Sequence, residues 1–253
     1  MDHSTWRSRV DELYRLKLAF VEHYAGAVGD EVRDGPFRGL KVPLQGHWGG
    51  GDVVAKVFGL YESPLHAFWR EAFVAGYPLF LDVGCADGFY ATGFARQSPG
   101  TRCFGFDRDE RAQASARAQV ARNGLANCEI RGLFGEDTIP ALRRECDLPE
   151  DARALLKCDI EGGERELFTP GFCRRLQHVD VVVELHDFHD DTAIEELLRG
   201  RLAPTHRVEI LAEAERNPNA HRLLRELPED VRWLVVSESR WSAMRWLLAR
   251  AGT

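Results

Sequence analysis

The stretch Leu79-Phe-Leu-Asp-Val-Gly-Cys-Ala-Asp-Gly-Phe-Tyr-Ala-Thr-Gly93 decides the fold. Leu79 to Val83 has the length and apolar content of a strand buried on both faces. A glycine-containing turn follows at once, and a helix begins near Gly88. Strand, tight turn and helix in succession open a βαβ unit, whose ligands bind beyond the carboxyl ends of the strands. Gly84 lets the backbone approach a ligand closely, because no Cβ intervenes. Asp82 and Asp87 put carboxylates where a dinucleotide site would present amides to a pyrophosphate. Gly84 and Gly88 are not spaced as G-x-G-x-x-G, so the nicotinamide fingerprint is absent.

The same alternation continues down the chain. Short apolar runs recur at 102–106 (RCFGF), 128–132 (CEIRG), 154–159 (ALLKCD), 179–185 (VDVVVEL), 206–211 (HRVEIL) and 231–236 (VRWLVV). Helical patterns separate the first of them, as in 109–124, which closes on Asn123-Gly124. Strands alternating with helices predict an α/β fold: a doubly wound, mostly parallel, seven-stranded sheet. Upstream, residues 5–27 read as an amphipathic helix with Val10, Leu13, Lys17, Phe20, Val21 and Tyr24 near one face. Residues 26–51, with Pro36 and Pro43, read as loops and short strands. Residues 52–74 are helical again, broken where Ser63 would cap a new helix and Pro64 occupy its first position. The expected division is therefore a helical and loop extension over 1–78, closing the acceptor side, and a cofactor-binding domain over 79–253.

Composition narrows the function. A chain of 253 residues, 44% hydrophobic and 29% charged, can bury a self-sufficient core. Forty acidic against 33 basic residues give a net charge of −7, which disfavours a nucleic-acid partner. The six cysteines form no C-x-x-C pair, which disfavours zinc ribbons and thioredoxin-like chemistry. The charged N-terminus lacks a signal-peptide pattern, and no window approaches the roughly twenty apolar residues of a membrane span. A cytoplasmic protein without membrane partners is the expectation, its thiols reduced.

The run Phe104-Gly-Phe-Asp107 identifies a ligand class. It places a carboxylate at the end of the second strand, about twenty residues beyond the turn, where an acid accepts hydrogen bonds from ribose hydroxyls. Carboxylates at the turn, no phosphate cradle and a ribose-binding acid suit a nucleoside carrying a charged amine and no phosphate. S-adenosylmethionine is such a ligand. The plainer alternative is an unliganded turn in which Asp107 only caps the next helix.

These segments resemble class I S-adenosylmethionine-dependent methyltransferases. DVGCADG (82–88) is similar to their first motif, and FDRD (106–109) to the acidic end of their second strand. The resemblance implies a cofactor site of Asp82, Gly84, Cys85, Asp87, Gly88, Phe89, Asp107 and Arg108, with Asp107 on the ribose. A narrower resemblance lies in Leu156-Lys-Cys-Asp-Ile-Glu-Gly-Gly-Glu164, similar to the K-x-D-x-E-G-x-E signature of FkbM-type methyltransferases. Val183-Glu-Leu-His186 is similar to their E-x-H element. That family implies O-methylation of hydroxyls on saccharides or natural products; methylation of a small amine or RNA base, or a non-catalytic nucleoside-binding subunit, are the alternatives.

Asp159 and Glu161 follow the fourth strand, while Glu184, His186 and His189 lie at and after the fifth. Neighbouring strands would bring Asp159, Glu184 and His186 together above the sheet. They could hold magnesium or manganese against the acceptor hydroxyl, or act without metal through His186 or Asp159 as base. Alternatively, Glu161 and Glu164 are first-turn acids at a helix N-terminus and His186 makes an ordinary contact. Elsewhere, residues 45–52 with His47 and Trp48 suggest a lid, and residues 216–221 a loop reaching the acceptor. Residues 240–248 read as a packed helix or a homo-oligomer contact, with Trp241 and Trp246 favouring burial. Cys85 should lie beside the cofactor.

Overall fold

Strands that are apolar at nearly every position must be covered on both sides, and the helices between these strands supply the cover. The computed structural model describes residues 3–44, 50–186, 193–238, 240 and 242–252. The chain forms two compact units, Met1–Trp69 with Ala214–Ser242 and Arg70–Glu213 with Ala243–Thr253. Where the sequence suggested one boundary at residue 78, the first unit also takes a stretch from between the last two strands.

The second unit holds the sheet. Its strands are β1 (Leu79–Val83), β2 (Arg102–Phe106), β3 (Cys128–Arg131), β4 (Ala154–Cys158), β5 (Val179–Glu184), β6 (His206–Ala212) and β7 (Arg245–Ala251). They run in the order β3-β2-β1-β4-β5-β7-β6. β1 to β5 are parallel, and β7 is antiparallel to both β5 and β6. Strand order therefore reverses between β1 and β4, and the crevice beyond their carboxyl ends is where such sheets bind ligands.

On one face Leu79, Leu81, Val83, Leu156, Val181 and Leu247 pack with Ile139, Phe172 and Leu198 from the helices. These side chains are almost wholly buried, and each contributes roughly 1.5–3 kcal/mol. On the other face Phe80 stacks on Phe94, their ring centroids 4.3 Å apart. All six cysteines are free thiols, four of them buried.

Two expectations near the C-terminus are corrected. The apolar run at 231–236 is a helix, Glu229–Val235, not a strand. Pro228 precedes it, Glu229 and Asp230 occupy its first turn, and Val231, Leu234 and Val235 recur at helical spacing. The seventh strand is instead Arg245–Ala251, overlapping the end of the stretch 240–248 read as a helix, and Trp246 is buried in it. The strand number was right and the assignment of the last strand was not. Among the described residues, no helix is long and apolar enough to cross a membrane.

The first unit is helical. His3–Val28 forms one long helix, as its periodicity predicts. The following loops close on a single antiparallel bridge between Glu31 and Lys41. Val53–Phe58 is helical, and a 3-10 turn at Ser63–Leu65 leads into the helix His66–Ala75. Ser63 lies within that turn, so the expected Ser63 cap gives way to Glu62 before it, which makes no side-chain cap bond. Lys17 is buried, its Nζ donating to the carbonyls of Gly51 and Ser237 at 2.7 and 2.5 Å. Burial pushes its ammonium down to about 8, with Asp52 and Glu238 pulling the other way.

Candidate active site at the carboxyl ends of the strands

The turn after β1 is shaped by its glycines. Gly84 has φ +78°, and a Cβ there would lie 1.7 Å from the Asp159 carbonyl oxygen. The space that the missing side chain leaves is thus taken by the backbone following β4, not by a ligand. Gly84 and Cys85 donate to the Phe106 carbonyl at 2.8 and 2.9 Å, and Asp159 donates to the Val83 carbonyl at 2.9 Å. These bonds hold the ends of β1, β2 and β4 in one place. Gly88 ends the turn at φ +78°, and a Cβ there would lie 2.9 Å from that of Ala116. The helix Phe89–Gln97 begins immediately after it.

Three acids organise this edge. Asp107 accepts from the Ala86 amide at 3.0 Å and from the Asp109 amide at 2.9 Å. It therefore ties the β1 turn to the end of β2, while the helix Glu110–Arg122 is capped by Asp109. Asp87 accepts from Phe89 at 3.2 Å. Asp82 is fully buried, accepts from the Ala91 amide at 3.0 Å, and has Lys157 Nζ 3.5 Å away. Burial pushes its carboxyl up to about 6 against the pull of Lys157.

The remaining expected cofactor residues divide. Phe89 is buried edge-on to Tyr90, and Arg108 is exposed. Cys85 stays in the β1 turn, and its side chain packs with Ala91, Ala116 and Ile130. Burial raises its thiol well above the ordinary range, which disfavours the thiolate.

Above β4 and β5 a second group converges. Asp159, Glu184 and His186 bring one ligand atom each within 4.8 Å of one another. His186 Nε2 lies 3.6 Å from Asp159, 3.5 Å from Glu184 and 3.5 Å from Glu161. On the other side of the ring, Nδ1 lies 2.8 Å from Glu164. Trp246, on β7, donates from Nε1 to the second oxygen of Glu184 at 3.1 Å. Lys157 Nζ, 3.2 Å from Asp159, links this group to Asp82 and lies 4.9 Å from the centre of the Tyr90 ring.

Burial alone would lower the pKa of His186. The bonds to Glu164 and Glu184 and the charge of Asp159 outweigh it and push the imidazole up to about 10. Burial raises the Asp159 carboxyl, opposed chiefly by Lys157.

The sequence places Asp159, Glu184 and His186 together but carries no sign of their supports. Glu161 and Glu164, read as plain first-turn acids, both face His186. Lys157 stood in the quoted K-x-D-x-E-G-x-E run without a role, and Trp246 was placed on a helix. In the other unit, Arg216 of the loop expected to reach an acceptor pairs with Glu238 at 2.6 Å. His47, Trp48, His189 and Trp241 lie outside the described residues.

A seven-stranded sheet in this order, with a glycine turn after β1 and an acid closing β2, is a doubly wound, Rossmann-like α/β fold. No family model matches the chain. Over 60 residues it is 40% identical to a tRNA (guanine-N(7)-)-methyltransferase of Anaeromyxobacter dehalogenans (strain 2CP-C), covering 23% of this chain and 30% of that protein. Solved structures with a similar course include an O-methyltransferase from Bacillus cereus in complex with SAH. It is 14% identical over 92% of this chain and 90% of that one, with a TM-score of 0.48. The precorrin-6y C5,15-methyltransferase of Geobacter metallireducens GS-15 is also 14% identical, over 73% and 88%, with a TM-score of 0.48.

Proposed function

We propose that this protein is an S-adenosylmethionine-dependent methyltransferase that methylates a hydroxyl of a saccharide or other small natural product, as the FkbM-type signature implies. The observation that carries the reading is adjacency. The backbone of Asp159 fills the space at Gly84, so the acid, carboxylate and imidazole groups of β4 and β5 stand directly beside the turn expected to hold the cofactor. Methyl transfer needs the acceptor oxygen in line with the sulfonium methyl, water excluded, and somewhere for the hydroxyl proton to go. The C–S bond breaks as the O–C bond forms, S-adenosylhomocysteine leaves, and the proton passes to the protein. Asp107 is the group for the ribose, and the backbone from Gly84 to Phe89 the cradle for the methionine end.

The Asp159–Glu184–His186 set also fits a hard divalent cation. Magnesium holds ligands at about 2.1 Å, which spaces neighbouring donors about 3 Å apart and opposite ones about 4.2 Å. The separations from His186 Nε2 are 3.5 and 3.6 Å, and all three donors lie within 4.8 Å of one another, close enough for one ion to draw them together. Carboxylate oxygens with one imidazole suit magnesium or manganese. When bound, such an ion would polarise the acceptor hydroxyl and lower its pKa. Asp159, Glu184 and His186 would hold it, and Trp246 and Glu164 would orient two of them.

A second reading, N-methylation of an RNA base, is favoured by the resemblance to the tRNA methyltransferase. The net charge of −7 weighs against it. Incubation with labelled S-adenosylmethionine and separate panels of saccharides, small amines and tRNA distinguishes the readings. Label in the saccharide arm, lost on chelation and restored by magnesium or manganese, is the expected result. Label only in tRNA contradicts the hydroxyl acceptor, and full activity after exhaustive chelation contradicts the metal.

A further inference from the structure

Glu164 occupies the first position of a single helical turn, Glu164–Leu167. A glutamate there ordinarily points into water at the positive end of the helix. This one is turned inward and has no exposed surface. A buried ionised carboxylate costs several kcal/mol unless strong partners compensate. Its Oε1 receives only long contacts, 3.4 Å each, from the amides of Ile160 and Gly162. Its Oε2 has no hydrogen-bond partner among the described residues. The one short bond it makes, 2.8 Å, is to Nδ1 of His186.

An ionised carboxylate can only accept, so the nitrogen facing it must carry the hydrogen. We infer that Glu164 is a positioning residue: it fixes Nδ1 of His186 as the protonated nitrogen and leaves Nε2 as the atom through which the ring acts. Nε2 is the nitrogen that faces Asp159, Glu161 and Glu184. With Nδ1 tied to Glu164, Nε2 is the nitrogen left to exchange its proton for an ion. Carboxylate–imidazole pairs of this kind raise the basicity of the opposite nitrogen, and losing the carboxylate typically weakens a bound metal 10- to 100-fold. This assignment rests on the methyl-transfer reading for the reaction it would serve, but the hold on the ring does not depend on which chemistry follows.

The test uses the full chain and the variants Glu164→Gln, which keeps the shape without the charge, and Glu164→Leu, which removes the acceptor. In histidine-labelled protein, the Nδ1 proton of His186, assigned by its disappearance in His186→Asn, should resonate downfield of ordinary imidazole protons and be shielded from exchange. It should move upfield in Glu164→Gln and be lost in Glu164→Leu. Calorimetry on the same samples should show manganese affinity falling at least tenfold in Glu164→Gln while S-adenosylmethionine affinity changes less than twofold. A wild-type ring bare at Nδ1, or a proton signal unchanged in Glu164→Leu, would overturn the assignment. So would manganese affinity unchanged in Glu164→Gln, which would leave the pair as a structural tie only. Wild-type protein that binds no manganese would end the metal reading, and one that binds no S-adenosylmethionine would end the methyl-transfer reading. In either case the ring proton still decides the role of Glu164.

Discussion

Gly84→Ala is the substitution for which the structure gives the most definite magnitude. A methyl group at this position would stand 1.7 Å from the Asp159 carbonyl oxygen, and real Cβ contacts essentially never fall below 3.0 Å. The β1 turn and the end of β4 must therefore separate by more than an ångström. That movement disrupts the bond from the Asp159 amide to Val83, a net loss of about 0.5–1.5 kcal/mol. Alanine at φ +78° adds about 1–2 kcal/mol of left-handed strain. Forcing the packed strand ends apart adds about 1–3 kcal/mol, as overpacking does, for a total of about 3–6 kcal/mol, in the range of severe core damage.

Gly124→Ala is the matched control. Gly124 has φ +62° but nothing within 4 Å of its Cβ position, so only the strain applies, about 1–2 kcal/mol. Urea unfolding of both variants, with unchanged m-values, gives the difference directly. The expectation is a gap of at least 2 kcal/mol, with S-adenosylmethionine binding impaired only in Gly84→Ala. Two variants within 1 kcal/mol of each other would refute the close approach of the β1 turn to Asp159.

Two other perturbations test separate parts of the structure. Lys17 is held at about 8 when folded against 10.5 when free, so the unfolded chain binds the extra proton between those values. Stability should therefore rise with pH from 8 to 10.5, by on the order of 3 kcal/mol relative to Lys17→Met. Urea titrations of both proteins across that window check it, and a difference that stays flat contradicts the burial of a charged Lys17. Trp246→Phe removes the indole hydrogen bond to the buried Glu184 carboxylate, at a cost of about 1–3 kcal/mol. Turnover should fall while S-adenosylmethionine affinity holds, as measured by calorimetry beside the methyl-transfer assay; equal losses in both would place Trp246 in the scaffold instead.

The parts of the site that could be read from the sequence are those set by neighbours in the chain. Leu79 to Gly88 is strand and turn within ten residues, and the position of Asp107 follows from strand length alone. Asp159, Glu184 and His186 could be brought together because parallel neighbouring strands align their carboxyl ends. The supports were not legible, since they depend on contacts between distant segments. Glu164 looks like a helix-start acid until His186, 22 positions away, is placed against it. Cys85 follows the first glycine of the β1 turn, yet its side chain is taken up by Ala116 and Ile130 from later elements. The run at 231–236 is rich in valine and suits a strand by propensity, but Pro228, Glu229 and Asp230 start a helix there. Short apolar runs do not distinguish the two states by periodicity alone. The return of Ala214–Ser242 to the N-terminal unit has no local signal at all.

The most direct test of the function proposed is calorimetric titration of the wild-type chain and of Asp107→Asn with S-adenosylmethionine and S-adenosylhomocysteine. Asp107 accepts from two backbone amides and stands where a ribose would be held. The expected result is saturable one-to-one binding of both ligands to the wild type, weakened at least tenfold in Asp107→Asn while thermal unfolding stays within a few degrees. No binding of either ligand to the wild type would contradict a methyltransferase function at this site.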